Sequence, residues 1–234
     1  MILRRFVAHV KAQDWFAVVL DVTVVIVGIF LGLQVTQWQA LQQDHVKRQS
    51  YLASLTQNLH QDIVLHEQRI ESIESILQRI ESVSDDLSKE NNRVLKDLSP
   101  LFLTTHRVKL ETATMEDLKS TGNLDLIDDR LITEPLLQYY TVISSSETAW
   151  HNAMSEYSRG KFGPYIMASY SFELGLPFYQ PESDDNYLTI EKLKDDTFLL
   201  NALQFRQLAL NSLKALSTDS INRAEAIITA INDK

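Results

Sequence analysis

Cysteine is absent from the 234-residue chain, which leaves an oxidising compartment open without indicating one. Catalytic signatures are absent as well. The sequence holds no Gly-x-Ser-x-Gly elbow, phosphate-binding loop, dinucleotide fingerprint or His-Glu-x-x-His run. Those are the short patterns that set a nucleophile, a phosphate cradle or a metal pair on a defined turn or helix face. The six histidines, His9, His45, His60, His66, His106 and His151, include no pair four residues apart, so no helix offers two of them to one metal. The stretch "SSSETAW", residues 144–150, reads as a helix segment or turn rather than a nucleophile loop. We expect no enzyme activity, no cofactor and no metal.

Positive charge is also in short supply: 22 basic residues stand against 31 acidic ones, a net charge of −9. Residues 1–38 hold three of the basic and two of the acidic groups, leaving 19 and 29 for the rest. A body this acidic argues against nucleic acid or anionic lipid as a main partner, since both require basic patches.

What the chain does have is one long apolar block, residues 16–33, broken only by Asp21 and Thr23. About 18 such residues suit a bilayer core roughly 30 Å thick. Trp15 and Trp38 bracket the block about 34 Å apart at helical rise, so both indoles can rest at headgroup level. The block exceeds the h-region of a cleaved signal peptide, and no small-residue cleavage site follows it. Arg4 and Arg5 lack the surroundings of a twin-arginine signal. We expect residues 15–38 to form a transmembrane helix, with residues 1–14 cytoplasmic or interfacial. Arg4, Arg5 and Lys11 before the span, against Lys47 and Arg48 beyond it, favour a cytoplasmic N-terminus and an exported body at 39–234. The expected location is a bacterial inner membrane with a periplasmic domain.

Residues 39–90 contain neither glycine nor proline. Leu52, Leu55, Leu59, Ile63, Ile70, Ile73, Leu77, Ile80 and Leu87 recur at intervals dominated by three and four, the pattern of an amphipathic helix or coiled coil. His66 breaks this seam and the pattern slips near Val83, which argues against a strict supercoil. A second long pattern occupies 195–232, with a stripe wide enough to face several neighbours. The expected fold is all-α: the membrane helix continues into a long helix to 90, a small helical cap fills 95–185, and the helix at 195–232 returns antiparallel. This would bring the C-terminus back toward the membrane.

Between these, "STGNLDLIDDRL", residues 120–131, reads as a corner between two helices. Thr114 and Asp117 suit a helix start, and Gly122 suits the left-handed residue that ends that helix. Leu124, Leu126 and Ile127 would bury the connection. Asp128 would cap the next helix, and Pro135 would sit early in it or kink it. Together with "VVIVGIFLGLQVTQW", the stretch "MEDLKSTGNLDLIDDRLITEPLLQYY" resembles a family of bacterial single-span membrane proteins defined as a domain of unknown function. The matching positions are Asp21, Gly28, Gln34 or Gln37 with Trp38, and then Ser120, Gly122, Leu124, Leu126 and Ile127. They cover about a fifth of the chain, and Pro135 departs from the pattern. The resemblance implies an architecture and no activity.

Asp21 needs a partner, a proton or water inside the membrane, where a carboxylate costs about 2.5–3.5 kcal/mol at the centre. A hydrogen bond to a neighbouring helix would meet that need, as would an ion pathway. Gly28 and Gly32 would let two backbones approach, and Gly28 shares a face with Asp21. The partner is the lipid bilayer together with a second copy of the chain or another membrane protein. In the aperiodic region 159–187, Tyr165, Tyr170, Phe178 and Tyr179 either cap the core or offer a partner surface. Three functions compete: a non-catalytic membrane-anchored scaffold or accessory subunit, a periplasmic small-ligand sensor working through a separate partner, and a stator-like ion-coupled subunit using Asp21.

Overall fold

The computed structural model describes residues 15–127, 129–171 and 186–233. Residues 1–14, Asp128, Phe178 and Tyr179 lie outside the described residues, as do the side chains of Trp15 and Asp21. The fold is almost wholly helical, as the periodicity requires, with a long helix at each end of the chain. Among the described residues the extended structure is a two-residue antiparallel pair, β1 (Val94–Leu95) with β2 (Leu188–Thr189), and an isolated parallel bridge between Ser171 and Tyr187. The chain divides into two compact units, Met1–Tyr51 and Leu52–Lys234.

The first unit is the N-terminal part of helix α1, Trp15–Lys89. It carries an 18-residue stretch of mean hydropathy 1.6, none of it buried, and is long and apolar enough to cross a membrane. Val24, Ile26, Phe30, Leu33 and Trp38 are all more than half exposed. A core helix of a soluble protein would hide such side chains.

In the second unit, the remainder of α1 runs antiparallel to α7, Thr197–Asn232. Two contacts fix the direction: Lys214 Nζ to Glu74 Oε1 at 2.7 Å, and Arg69 Nε to Ser217 Oγ at 2.6 Å. Apart from Asn58, which is buried beside Leu59, the buried positions of α1 are Leu55, Leu59, Asp62, His66, Arg69, Ile73, Ile76, Ile80 and Val83. Their spacing alternates four and three without a break. His66 therefore does not interrupt the seam and Val83 does not leave it. Ile63, Ile70 and Leu77, placed on the seam by apolar counting, are only half-buried beside it.

Between the long helices lie α2 (Ala113–Ser120), a tight 3₁₀ turn (Asn123–Ile127), α3 (Arg130–Gln138), α4 (Ser144–Glu156), α5 (Gly163–Ser169) and α6 (Ile190–Asp195). Wide π turns at Tyr139–Ile143 and Tyr157–Phe162 join α3, α4 and α5 with helical dihedrals at every junction. The caps fall elsewhere than the sequence suggested. Asp129, one position later than Asp128, accepts from Leu131 N at 2.9 Å. α2 starts after Thr112, and Thr114 Oγ1 instead accepts from Asn58 Nδ2 at 2.8 Å.

A candidate polar layer inside the helical body

The core of the second unit is apolar at both ends and polar between them. One apolar cluster gathers Ile73, Ile76 and Ile80 with Phe102, Phe162, Leu210 and Leu213. Leu55, Leu59, Met115, Leu118, Ile132, Ile227 and Ile231 are buried outside it. Asp62, His66 and Arg69 occupy the seam positions between Leu59 and Ile73. They are 0 %, 0 % and 5 % exposed, and Glu147 is 3 % exposed.

Arg69 is the hub. Its Nε donates to Ser217 Oγ at 2.6 Å and its Nη1 to Glu147 Oε2 at 2.7 Å. Nη1 also approaches Glu147 Oε1 at 2.6 Å, an ionic contact without a directed hydrogen bond. Glu147 Oε2 further accepts from Val108 N at 3.3 Å. Arg69 Nη2 lies 3.3 Å from His66 Nδ1. A guanidinium only donates, so Nδ1 is the acceptor and the imidazole proton sits on Nε2. That Nε2 is buried with no protein acceptor among the described residues. Burial first, and then the Arg69 charge, hold the His66 pKa down at about 4, so the ring is neutral.

Asp62 anchors the neighbouring turn. Its Oδ1 accepts from Glu111 N at 2.9 Å and its Oδ2 from Tyr139 OH at 3.3 Å. Burial outweighs these two bonds and pushes its carboxyl up to about 6. The first π turn brings the adjacent Tyr139 and Tyr140 both inside, with rings edge to face at 5.1 Å. Burial raises both phenols well above their ordinary value, so each remains a hydroxyl at any physiological pH.

A second set adjoins this one. Arg206, 4 % exposed on α7, donates through Nη2 to Thr104 O at 2.6 Å and Thr104 Oγ1 at 2.9 Å. His106 Nδ1 lies 3.5 Å from Ser72 Oγ. Burial, then the charges of Arg206 and Arg69, bring the His106 pKa down to about 4. Two surface hollows lie elsewhere among the described residues. One is lined by Leu87, Glu90, Asn92, Ile190, Glu191 and Lys194, and another by Leu124, Asp125, Asp129, Arg130, Thr133 and Glu134.

The residues singled out from sequence are placed separately from this layer. Gly28 and Gly32 lie on the exposed part of α1, and nothing stands within 4 Å of where a Cβ would point. Gly122 has φ +71°, directly after Thr121, the C-cap of α2. Ile127 is buried, and Leu124 and Leu126 are half-buried in the following turn. Tyr165 and Tyr170 each donate to Asp196 Oδ2 at 2.8 Å, while Asp196 Oδ1 caps α7 through Leu199 N at 3.0 Å. Their hydroxyls thus brace the start of the return helix. Apolar counting did not point to Asp62, Arg69, Glu147 or Arg206. The missed signal is the unbroken four-three spacing, which continues through Asp62, His66 and Arg69.

Comparison with known protein families, curated proteins and solved structures finds no match to this chain.

Proposed function

We propose that this chain is a single-pass membrane scaffold or accessory subunit, non-catalytic, whose helical body is held at the membrane to contact another protein. The observation that carries the reading is the exposed apolar stretch of α1, more than half exposed at Val24, Ile26, Phe30 and Leu33. It shares one helix with a well-packed body. Lipid covers such a surface at no polar cost, because every backbone group is bonded within the helix. The same support extends to an exported body, through the basic residues near the N-terminus.

The absence of native cysteine makes the test direct. A single cysteine at the exposed position Ser88 should react with an impermeant thiol reagent in cells whose inner membrane is intact. Protection at 88 with labelling of a cysteine at Ala8 would reverse the orientation. Recovery of the chain without membranes would remove the anchor altogether. For the accessory role, mild-detergent purification should recover a stoichiometric second protein, and a homogeneous monomer would count against it.

A further inference from the structure

We propose that residues 104–111 form a releasable strap, which lifts from the helical body as a unit while the long helices stay folded. The segment runs from the π turn Ser99–Leu103 toward α2 and belongs to no helix or strand. Its side chains alternate: Val108 and Leu110 are buried, whereas Thr105, Arg107, Lys109 and Glu111 are exposed. Among the described residues, no backbone–backbone hydrogen bond involves Thr105 to Glu111. The strap therefore lacks both the ladder that holds a strand and the repeating bonds that hold a helix.

Its backbone is gripped instead by one charged side chain from each of three helices. Asp62 of α1 accepts from Glu111 N at 2.9 Å, Glu147 of α4 accepts from Val108 N at 3.3 Å, and Arg206 of α7 donates to Thr104 O at 2.6 Å. His106 adds a 3.5 Å contact to Ser72 Oγ. Glu147 has Arg69 as its counter-charge. Asp62 and Arg206, which grip the two ends, have no ion-pair partner among the described residues. Their remaining contacts, Tyr139 OH and Thr104 Oγ1, are neutral. Both charges are nearly fully buried, and neutral partners offset the loss of their hydration only in part. Water reaches both once the strap lifts, while of the strap's own side chains Val108 and Leu110 alone leave apolar surroundings. Few apolar contacts and no backbone pairing are the conditions for local opening below global unfolding. The device belongs to the body and does not depend on the membrane anchor.

The test is thiol labelling of the full chain in mild detergent at pH 7.5, since the chain has no cysteine of its own. Val108→Cys and Leu110→Cys report on the strap, and Leu213→Cys, buried on α7, is the control. Both strap positions should label on the order of a hundredfold faster than Leu213→Cys, at rates nearly flat in low urea, because a local opening exposes little surface. In the unmodified chain the Val108 and Glu111 amides should likewise exchange well before the amides at the centre of α7. Asp62→Asn keeps an acceptor for Glu111 N but removes the charge, so it should slow labelling of Val108→Cys by about three- to tenfold. Labelling at the Leu213→Cys rate, with the same urea dependence, would mean that the strap leaves only when the body unfolds and would overturn the proposal. So would Val108 and Glu111 amides that exchange as slowly as those of α7. Faster labelling in Asp62→Asn would also overturn it, by making the carboxylate a clamp whose charge holds the strap down.

Discussion

Asp62 and His66 stand one turn apart on α1, and burial shifts their pKa values in opposite directions. Asp62 has its folded pKa raised from 3.8 to about 6, so its contribution is present at low pH and lost as pH rises through that window. His66 and His106 have theirs lowered from 6.5 to about 4, so their contribution is present above 6.5 and lost as pH falls. Between about pH 4 and 6 the unfolded chain holds two protons on these histidines that the folded chain lacks. The folded chain holds one on Asp62 that the unfolded chain lacks. From these three groups stability should therefore rise with pH at about 1.4 kcal/mol per unit. Urea unfolding of the full chain at pH 4.5, 5.5 and 6.5 reads this slope. His66→Gln should flatten it and Asp62→Asn should steepen it to about twice the wild-type value. A His66→Gln slope equal to wild type would mean that His66 is not held neutral by its burial. Arg69 gives a second residue-scale expectation. Arg69→Met strands Glu147 in the core and should cost about 3–5 kcal/mol. Adding Glu147→Gln should return part of that loss, which a double-mutant cycle measures.

At the scale of elements, the legible and the hidden parts of the fold divide by chemistry. The long helices were readable because apolar side chains recur at three and four and no glycine or proline interrupts residues 39–90. The return helix was readable for the same periodicity, and Thr197–Asn232 lies within the expected span. The polar layer was hidden because a count of apolar positions treats Asp62, His66 and Arg69 as gaps. Only tertiary partners, Glu147 from α4 and Ser217 from α7, make those positions tolerable in a core. Caps were misplaced by one or two residues, since adjacent aspartates and threonines offer equivalent side-chain oxygens and only the folded turn selects among them. The β1–β2 pair left no sequence signal, being two residues long on each side. Gly122 is where local sequence and structure meet most closely. No atom stands within 4 Å of where a Cβ would point there, so the cost of Gly122→Val is set by its φ of +71° and not by a clash. We expect about 1–2 kcal/mol of destabilisation, read by chemical unfolding of the full chain. A loss near zero would show that the corner re-forms without the left-handed residue.

The whole molecule joins two chemically opposite surfaces on one helix: an apolar stretch near the N-terminus and an acidic body that packs on itself. Nothing within 4 Å fills the space over Gly28 and Gly32, so a neighbouring helix could approach that strip closely. Gly32 O accepts from Thr36 Oγ1 at 3.0 Å, which keeps that hydroxyl satisfied within the apolar segment. Two uses of this segment make different demands on Asp21. If it pairs helices, Asn preserves size and much of the hydrogen bonding, so Asp21→Asn should keep assembly and partner recovery. If it carries protons, the amide fails, because it does not titrate. For a scaffold we expect Asp21→Asn to assemble and function normally, while Gly28→Leu with Gly32→Leu weakens association by forcing the backbones apart. Cross-linking and co-purification at matched expression, with rescue of a deletion phenotype, read both variants. Normal assembly with complete loss of rescue in Asp21→Asn would replace the scaffold by an ion-coupled subunit. Full association in the double leucine variant would move the contact to another face of the helix, because two leucines on this one would hold a second backbone beyond close-packing distance.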